Sequence, residues 1–304
     1  KEAKMALAIG AAMTGIATNT GEGGLVPEEA WLARGYTDPE MKHKKWEPGG
    51  YLVIQWSTGR WGVSADYLNS GDAVEVKIGQ GAKPGMGGHL LGAKVTEDVS
   101  RVRGVPVGSD ALSPCRYYDV QSLEDMKHMV AFLRDVTNYQ FPIFFKLGPS
   151  RPYADVSACI EAGADAISID GMVGGTGCSP DIVTQGVGIP TIACLPPAVQ
   201  ALKDHGVHHK VKLIALGGIR NGLDAYKAMA MGADAVGFGS AAEIAMGCRA
   251  CYACQKGNCP YGITSQKPEM RARLDPVVVG QRLANFIHAS TEEVKILTML
   301  SGHD

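Results

Sequence analysis

The sequence predicts an α/β chain folded as a (β/α)8 TIM-type barrel, with its first strand upstream of residue 1, a cysteine-rich loop and a C-terminal helix. Three observations predict it. Short apolar segments alternate with amphipathic helical ones, most regularly from residue 121 onward, which is the rhythm of parallel strands joined by crossover helices. The 39 glycines gather where the apolar segments end, and strand ends are where a barrel brings backbone close to a ligand. A length of 304 residues suits one large barrel, and no internal repeat, low-complexity tract or linker interrupts the pattern.

Ala3 to Met13 reads as a helix of small and apolar residues, and Gly15 to Asn19 as a strand entering the loop Thr20-Gly21-Glu22-Gly23-Gly24. After a polar stretch with Pro27, Pro39 and Pro48, Tyr51 to Trp56 is the next strand. Ser64 to Asn69 is a short helix, and Ala73 to Gln80 a strand opening into Gly81-Ala82-Lys83-Pro84-Gly85-Met86-Gly87-Gly88-His89. Ser122 caps a helix that runs through Leu133, with Asp125 three residues on. Strands at Pro142 to Leu147, Asp165 to Asp170, Lys212 to Leu216 and Asp234 to Phe238 then alternate with helices at Tyr153 to Ala162, Pro197 to His205 and Gly222 to Met231. Seven barrel-type strands therefore begin near residues 15, 51, 75, 142, 165, 212 and 234, and Val277 to Leu300 is a final helix.

The formal charge is −2, with acidic and basic residues nearly balanced; the basic face that nucleic-acid binding needs is missing. No apolar run approaches the roughly 18 residues of a membrane span, and Lys1-Glu2-Ala3-Lys4 is helical in character without a signal-peptide pattern. A soluble cytoplasmic protein is expected. Cys115, Cys159, Cys178 and Cys194 stand singly among apolar or small neighbours, as reduced core cysteines do.

The other four of the eight cysteines lie within twelve residues, as Cys248-x2-Cys251-x2-Cys254-x4-Cys259-Pro260, with no histidine among them. Thiolates hold iron–sulfur clusters, and Cys-x2-Cys turns closed by Cys-Pro resemble the bacterial ferredoxin run, whose last spacer is one residue shorter. Structural zinc usually takes two pairs separated by a longer spacer; zinc and unliganded core thiols remain the alternatives. A cluster implies redox chemistry with a second cofactor. The expected division is a barrel over 1–247, an iron–sulfur loop over 248–276 and a C-terminal helix over 277–304 packed on the barrel.

Gly217-Gly218-Ile219-Arg220 and Gly237-Phe238-Gly239-Ser240 follow the strands at the seventh and eighth barrel positions. Loops after those strands commonly bind phosphate through backbone N–H groups near a helix N-terminus. A phosphate-anchored cofactor that exchanges electrons with a cluster is most simply FMN. Lys146 ends the strand at Ile143 to Phe145, where an ammonium could stabilise charge on a reduced flavin. Gly174-Gly175-Thr176-Gly177 follows Asp170, and its small residues would let the flavin edge approach backbone. Gln55, Thr58 and Gln80 complete the candidate cofactor set. His205, His208 and His209 lie in a helix-to-strand loop with nothing arranged to complete a metal site.

Thr20-Gly21-Glu22-Gly23-Gly24, Gly79-Gln80-Gly81-Ala82-Lys83-Pro84-Gly85, Asp170-Gly171, Gly174-Gly175-Thr176-Gly177 and Cys248/Cys254/Cys259-Pro260 together resemble the FMN-binding synthase domain of glutamate synthase. The likeness covers nearly the whole chain. It implies reduction of 2-iminoglutarate, formed from 2-oxoglutarate and ammonia, to L-glutamate by hydride from FMN. Glu22 and Lys83 fall on the family's acid/base and keto-polarising positions, and Lys77 and Arg103 on those that hold substrate carboxylates. Two positions depart from the family. His89 stands where Gln is common, altering a substrate-side hydrogen bond, and Cys251 adds a fourth thiolate where the family has a three-iron cluster, so the cluster is [3Fe-4S] or [4Fe-4S]. Relatives with such a run include archaeal-type glutamate synthases and the flavin subunit of N-methylglutamate synthase, which uses methylamine.

With no N-terminal catalytic cysteine, ammonia or an amine is expected from a glutaminase-type subunit, and electrons from an NAD(P)H- or ferredoxin-linked subunit, in a hetero-oligomer. Two further readings are an electron-relay subunit without substrate turnover and an inosine-monophosphate-dehydrogenase-like barrel with Cys178 as nucleophile. The latter leaves the cysteine run without a role.

Overall fold

The computed structural model describes residues 1–175 and 178–303. In chain order it contains α1 (Glu2–Thr14), β1 (Ala17–Asn19), α2 (Glu29–Leu32), β2 (Tyr51–Ser57), α3 (Ala65–Leu68), β3 (Ala73–Lys77), β4 (His89–Leu90), α4 (Glu97–Arg103), β5 (Ala111–Leu112), α5 (Leu123–Val136) and β6 (Ile143–Leu147). There follow α6 (Pro152–Ala162), β7 (Ala166–Asp170), α7 (Asp181–Gly186), α8 (Thr191–Asp204), β8 (Lys212–Leu216), α9 (Gly222–Ala230), β9 (Ala235–Val236), α10 (Ser240–Ala245), α11 (Pro268–Arg271) and α12 (Pro276–Leu300). Strand order is β1-β2-β3-β6-β7-β8-β9, with β4 and β5 as a separate antiparallel pair. The pairs β1–β2, β6–β7, β7–β8 and β8–β9 are parallel. This is the α/β barrel-type architecture, and each of the seven expected strands is present. β1 is shorter than expected because Gly15, at φ 72°, still belongs to the end of α1 and returns its N–H to Ala11.

The chain forms two compact units. The first comprises Lys1–Val74, Gly88–Ser113 and Ala242–His288. Here α1 buries Ala6, Ala8, Ile9, Ala11 and Ala12 and packs on α2, β1 and β2. The second comprises Glu75–Gly87, Pro114–Ala241 and Ala289–Asp304. Its core is built from the apolar residues of β6, β7 and β8, among them Ile143, Phe145, Ile167, Ile169 and Leu213, under α5, α6 and α8. The expected capping box opens α5, with Ser122 and Asp125 each accepting the other's backbone N–H.

One device sets strand starts in both units. An aspartate just before a strand accepts the first or second N–H of the neighbouring strand: Asp72 from Leu52 at 2.7 Å, Asp165 from Ile143 at 2.7 Å, and Asp234 from Leu213 at 2.9 Å. Each is also paired with a cation, Arg34, Arg134 and Lys212 respectively. The same local chemistry thus fixes register wherever Gly-Asp or Gly-Ala-Asp enters a strand.

The start of one helix also differs from the expectation. α8 begins at Thr191, six residues before the expected start, and contains Pro196 and Pro197. Proline costs a helix an N–H bond, yet Thr191, Cys194, Leu195, Ala198, Ala201 and Leu202 are buried at helical spacing across the pair, and burial of that stripe decides the outcome.

Candidate active site

In the first unit, the loop after β1 carries Glu22 above a buried hydrogen-bonded frame. Thr20 Oγ1 lies 3.1 Å from the Tyr67 hydroxyl, which donates to the Gln55 carbonyl at 2.8 Å, and the Gln55 N–H donates to Thr20 Oγ1 at 3.0 Å. Burial pushes the Tyr67 phenol up to about 12, so its hydroxyl keeps its proton. This frame ties the Glu22 loop to the end of β2, where Gln55 is buried and Thr58 half-buried.

Glu22 rests on Gly88. A Cβ built on Gly88 would coincide with Glu22 Oε1, so only glycine leaves room for the carboxylate. Ser113 holds that glycine from both sides: its hydroxyl accepts the Gly88 N–H at 2.5 Å, and its N–H donates to the Gly88 carbonyl at 2.9 Å. Arg103, in the last turn of α4, stacks 4.7 Å over the Trp61 ring, and its guanidinium lies against Gly23. Burial lowers the Arg103 pKa while the Glu22 charge opposes that shift, so carboxylate and guanidinium are electrostatic neighbours. His89, in β4 opposite Leu112, is exposed.

The cysteine run belongs to the same unit. Burial pushes the Cys259 thiol up, but backbone N–H groups of Thr264, Tyr261 and Ile263 donate to it and leave it net below its usual value. Cys248 accepts the Ala250 N–H at 3.4 Å; burial raises its thiol, which also feels Cys259 and Cys251. Ala250 and Tyr252 flank Cys251 with φ of 49° and 53°, a left-handed pattern that aims successive N–H groups at one side and recurs around anions and iron–sulfur sites. Lys94 donates to the Cys254 carbonyl at 3.0 Å. The thiol chemistry fits a cluster, but among the described residues no three metal-ligating side chains converge.

In the second unit, Lys77 and Lys83 are 9% and 6% exposed, a rare state for lysine. Lys77 shares β3 with the buried Glu75, which accepts from the Ser168 hydroxyl at 3.3 Å. Lys146, inside β6 and opposite Ser168 of β7, lies 3.3 Å from Asp170. A polar interior therefore runs through Glu75, Lys77, Lys146, Ser168 and Asp170.

Gly174 lies against Gly217, and Ser240 donates to the Gly175 carbonyl at 3.0 Å. Gly217 takes φ 86°, and a side chain there would strike the Gly171 carbonyl. Thr191 fixes this junction by hydrogen bonding the Leu216 and Gly217 carbonyls at 2.6 and 2.7 Å. Nothing lies within 4 Å of where a Gly239 side chain would stand. The loops carrying Gly174, Gly175, Gly217 and Ser240 thus meet, and Gly239 next to Ser240 in sequence presents open backbone, which fits a phosphate-bearing flavin. The N-terminus of α9 is already occupied: Glu293 takes the Gly222 N–H at 2.7 Å and Asn221 the Asp224 N–H at 3.0 Å.

Of the candidate residues, Glu22 with Arg103, and Gly174 and Gly175 with Gly217 and Ser240, come together. Gln80 is half-buried at the end of its loop, and Gly218 lies beside Gly217 at φ 78°. Arg220 is exposed and bound to Asp224 at 2.7 Å. Thr176, with Gly177, lies outside the described residues. Sequence reasoning missed Trp61, Tyr67, Gly88 as a seat, Ser113 and Glu75; two charged residues in the otherwise apolar strand Ala73–Lys77 were the one legible signal.

Residues 1–304 match the family described as the conserved region in glutamate synthase. The chain belongs to that family. It is 43% identical over 294 residues to the archaeal-type glutamate synthase [NADPH] of Thermotoga neapolitana, covering 96% of this chain and 55% of that protein. It is 41% identical over 316 residues to a glutamate synthase large subunit-like protein of Rhizobium meliloti, covering 99% and 68%. The ferredoxin-dependent chloroplastic glutamate synthase of rice is 37% identical over 304 residues, covering 97% of this chain and 19% of that protein. The chain thus spans about half the length of several curated relatives it matches. Among solved structures, a mandelate oxidase matches with a TM-score of 0.55 at 19% identity, over 99% of this chain and 69% of that one. Flavocytochrome b2 matches at 0.53 and 16%, over 99% and 61%. These two likenesses speak to the fold. Among the described residues no helix is long and apolar enough to cross a membrane.

Proposed function

We propose that this chain is the flavin-binding synthase region of a glutamate synthase-type enzyme, reductively aminating 2-oxoglutarate to L-glutamate. The observation that carries the reading is the Glu22 carboxylate seated on Gly88 beside Arg103, in a chain of the glutamate synthase family. Arg103 and Lys77 hold the substrate carboxylates, since a dianion needs fixed cations and guanidinium binds carboxylate through two parallel hydrogen bonds. Lys83 polarises the keto group. Amine addition releases water and leaves the imine; Glu22 manages the proton transfers, and the finished amine nitrogen keeps its proton.

FMN supplies the hydride when bound, and a mandelate oxidase of the same fold is known as an FMN adduct. Gly217, Gly218, Gly239 and Ser240 would take its phosphate, Gly174 and Gly175 its ring edge, and Lys146 the charge near the ring, with Gln55, Thr58, Gln80 and Thr176 as further contacts. Arg220, paired with Asp224, belongs to that set only by its place in the motif. Cys248, Cys251, Cys254 and Cys259 would hold an iron–sulfur cluster that passes single electrons. The working division stays a barrel over 1–247, a cluster loop over 248–276 and a helix over 277–304. Ammonia comes from a glutaminase-type partner, and electrons from an NAD(P)H- or ferredoxin-linked one, in a cytoplasmic hetero-oligomer. The alternative amine is methylamine, as in the N-methylglutamate synthase relatives that share the cysteine run, and His89 would alter one hydrogen bond on the substrate side.

The test is anaerobic turnover of chemically reduced protein with 2-oxoglutarate and either ammonium or methylamine, read by chiral amino-acid analysis. L-glutamate or N-methyl-L-glutamate is expected, and its loss in Glu22→Gln. A flavin that cycles electrons while neither amine gives product overturns the reading in favour of an electron relay.

A further inference from the structure

Glu29, at the start of α2, is 1% exposed, the most deeply buried carboxylate of the first unit among the described residues. Its carboxylate accepts the Val26 N–H at 2.8 Å and pairs with Lys4 Nζ at 2.9 Å. Lys4, on α1, donates from the same ammonium to the Gly24 carbonyl at 2.6 Å. The pair therefore grips both ends of Gly24–Val26, the segment that leaves the Glu22 loop. A buried charge is costly, and packing alone would be served as well by apolar residues. What an apolar pair could not supply is a donor for Gly24 and an acceptor for Val26.

The grip lies two residues from Glu22. Between them is Gly23, against which the Arg103 guanidinium rests, and the Gly24 backbone abuts Val102 of the same helix. A shift of Gly24 would be felt by the carboxylate on Gly88 and by the arginine on Trp61 together. We infer that Lys4 and Glu29 are positioning residues for the proposed chemistry: the pair touches no substrate and sets where Glu22 and Arg103 stand. This rests on the proposed role of Glu22.

The test compares Lys4→Met, Lys4→Arg and Glu29→Gln with the wild-type protein. It measures kcat, its pH profile, the KM for 2-oxoglutarate, and hydrogen exchange in the peptide covering residues 20–26. Lys4→Met is expected to raise exchange in that peptide selectively and to lower kcat about tenfold or more, since misplacement near 1 Å can cost up to about 100-fold. Lys4→Arg, whose fork reaches both acceptors, is expected to restore most of both. Should Lys4→Met not fold, Glu29→Gln, which keeps an acceptor for Val26 while removing the charge, is expected to show the same effects in weaker form. Variants that melt earlier but keep the wild-type kcat, pH profile and loop protection would assign the pair to stability alone and overturn the inference. Exchange needs no turnover: a wild-type protein that makes no amino acid refutes the proposed function, while the 20–26 peptide still reports on the grip, and unchanged protection there refutes it.

Discussion

Replacing Gly88 by alanine separates the placement of Glu22 from the stability of the fold. Gly88 does not use the left-handed backbone region, so alanine brings no backbone strain, and the three atoms nearest its new Cβ all belong to the Glu22 carboxyl group. A methyl coinciding with Oε1 requires the carboxylate to retreat by about 2 Å or more to reach ordinary contact distance. The moving group is the end of a flexible side chain in a half-buried position, so the cost in stability should stay near 1 kcal/mol or below. The catalytic cost should be far larger. A 1 Å error of position can cost about 100-fold, and loss of general acid–base help about 10²–10⁴-fold, or roughly 2.7–5.4 kcal/mol in barrier. The assay is glutamate formation by reduced protein, paired with thermal melting. Gly88→Ala should fall by at least about 100-fold in kcat while melting close to wild type. Full activity would refute the claim that Glu22 works from this seat, and a large loss of melting temperature would show that Gly88 serves packing instead.

Other perturbations follow from the same geometry. Gly217→Ala forces a side chain into a left-handed position against the Gly171 carbonyl; it should cost about 1–3 kcal/mol in urea unfolding and weaken FMN retention, measured by titration of the apoprotein. Cys259→Ser removes the thiol that collects three backbone N–H donors and should abolish iron and sulfide in anaerobically purified protein, whereas Cys115→Ser should retain both by elemental assay. Two carboxylates should give opposite pH responses. Burial opposes the shift at Glu2, but the Arg271 fork at 2.8 Å brings it down from 4.5 to about 2. Its native form binds the proton more weakly than the unfolded chain, so its stability is present above pH 4.5 and is lost as pH falls toward 2. Arg271→Met should move the acid-unfolding midpoint upward. Burial raises Glu29 despite the Lys4 charge, so the native state holds that proton longer and stability declines as pH rises through the raised value. Glu29→Gln should flatten that decline in denaturant melts at a series of pH values.

The strands were legible because a buried parallel strand is an apolar run between punctuating glycines, and all seven positions could be read that way. α4 does not stand out as a helix in the sequence, although Thr96, Glu97, Asp98 and Gly104 mark its ends, because it buries no residue and so lacks an apolar stripe. The missing stripe hides why Arg103 stands where it does. The sequence shows α8 as shorter than it is because paired prolines look like a break until tertiary burial of the stripe through Thr191 and Leu195 is known. In the candidate site, Gly217 could be picked out by its place at a strand end, and Glu22 only by the likeness of its Gly-Glu-Gly-Gly loop to the family's. Their supports could not. Tyr67 and Ser113 act through contacts 47 and 25 residues away in the chain, and no local pattern encodes such a pairing.

Hydride transfer from the bound flavin to the imine is tested by a single turnover followed by rapid mixing. Protein loaded with FMN and reduced anaerobically is mixed with 2-oxoglutarate and ammonium, while flavin absorbance and amino acid are recorded together. The flavin is expected to reoxidise with the appearance of one L-glutamate per flavin, and Gly88→Ala to slow both in step. A flavin that stays bound and reduced through the mixing, with ammonium and with methylamine alike, would contradict it.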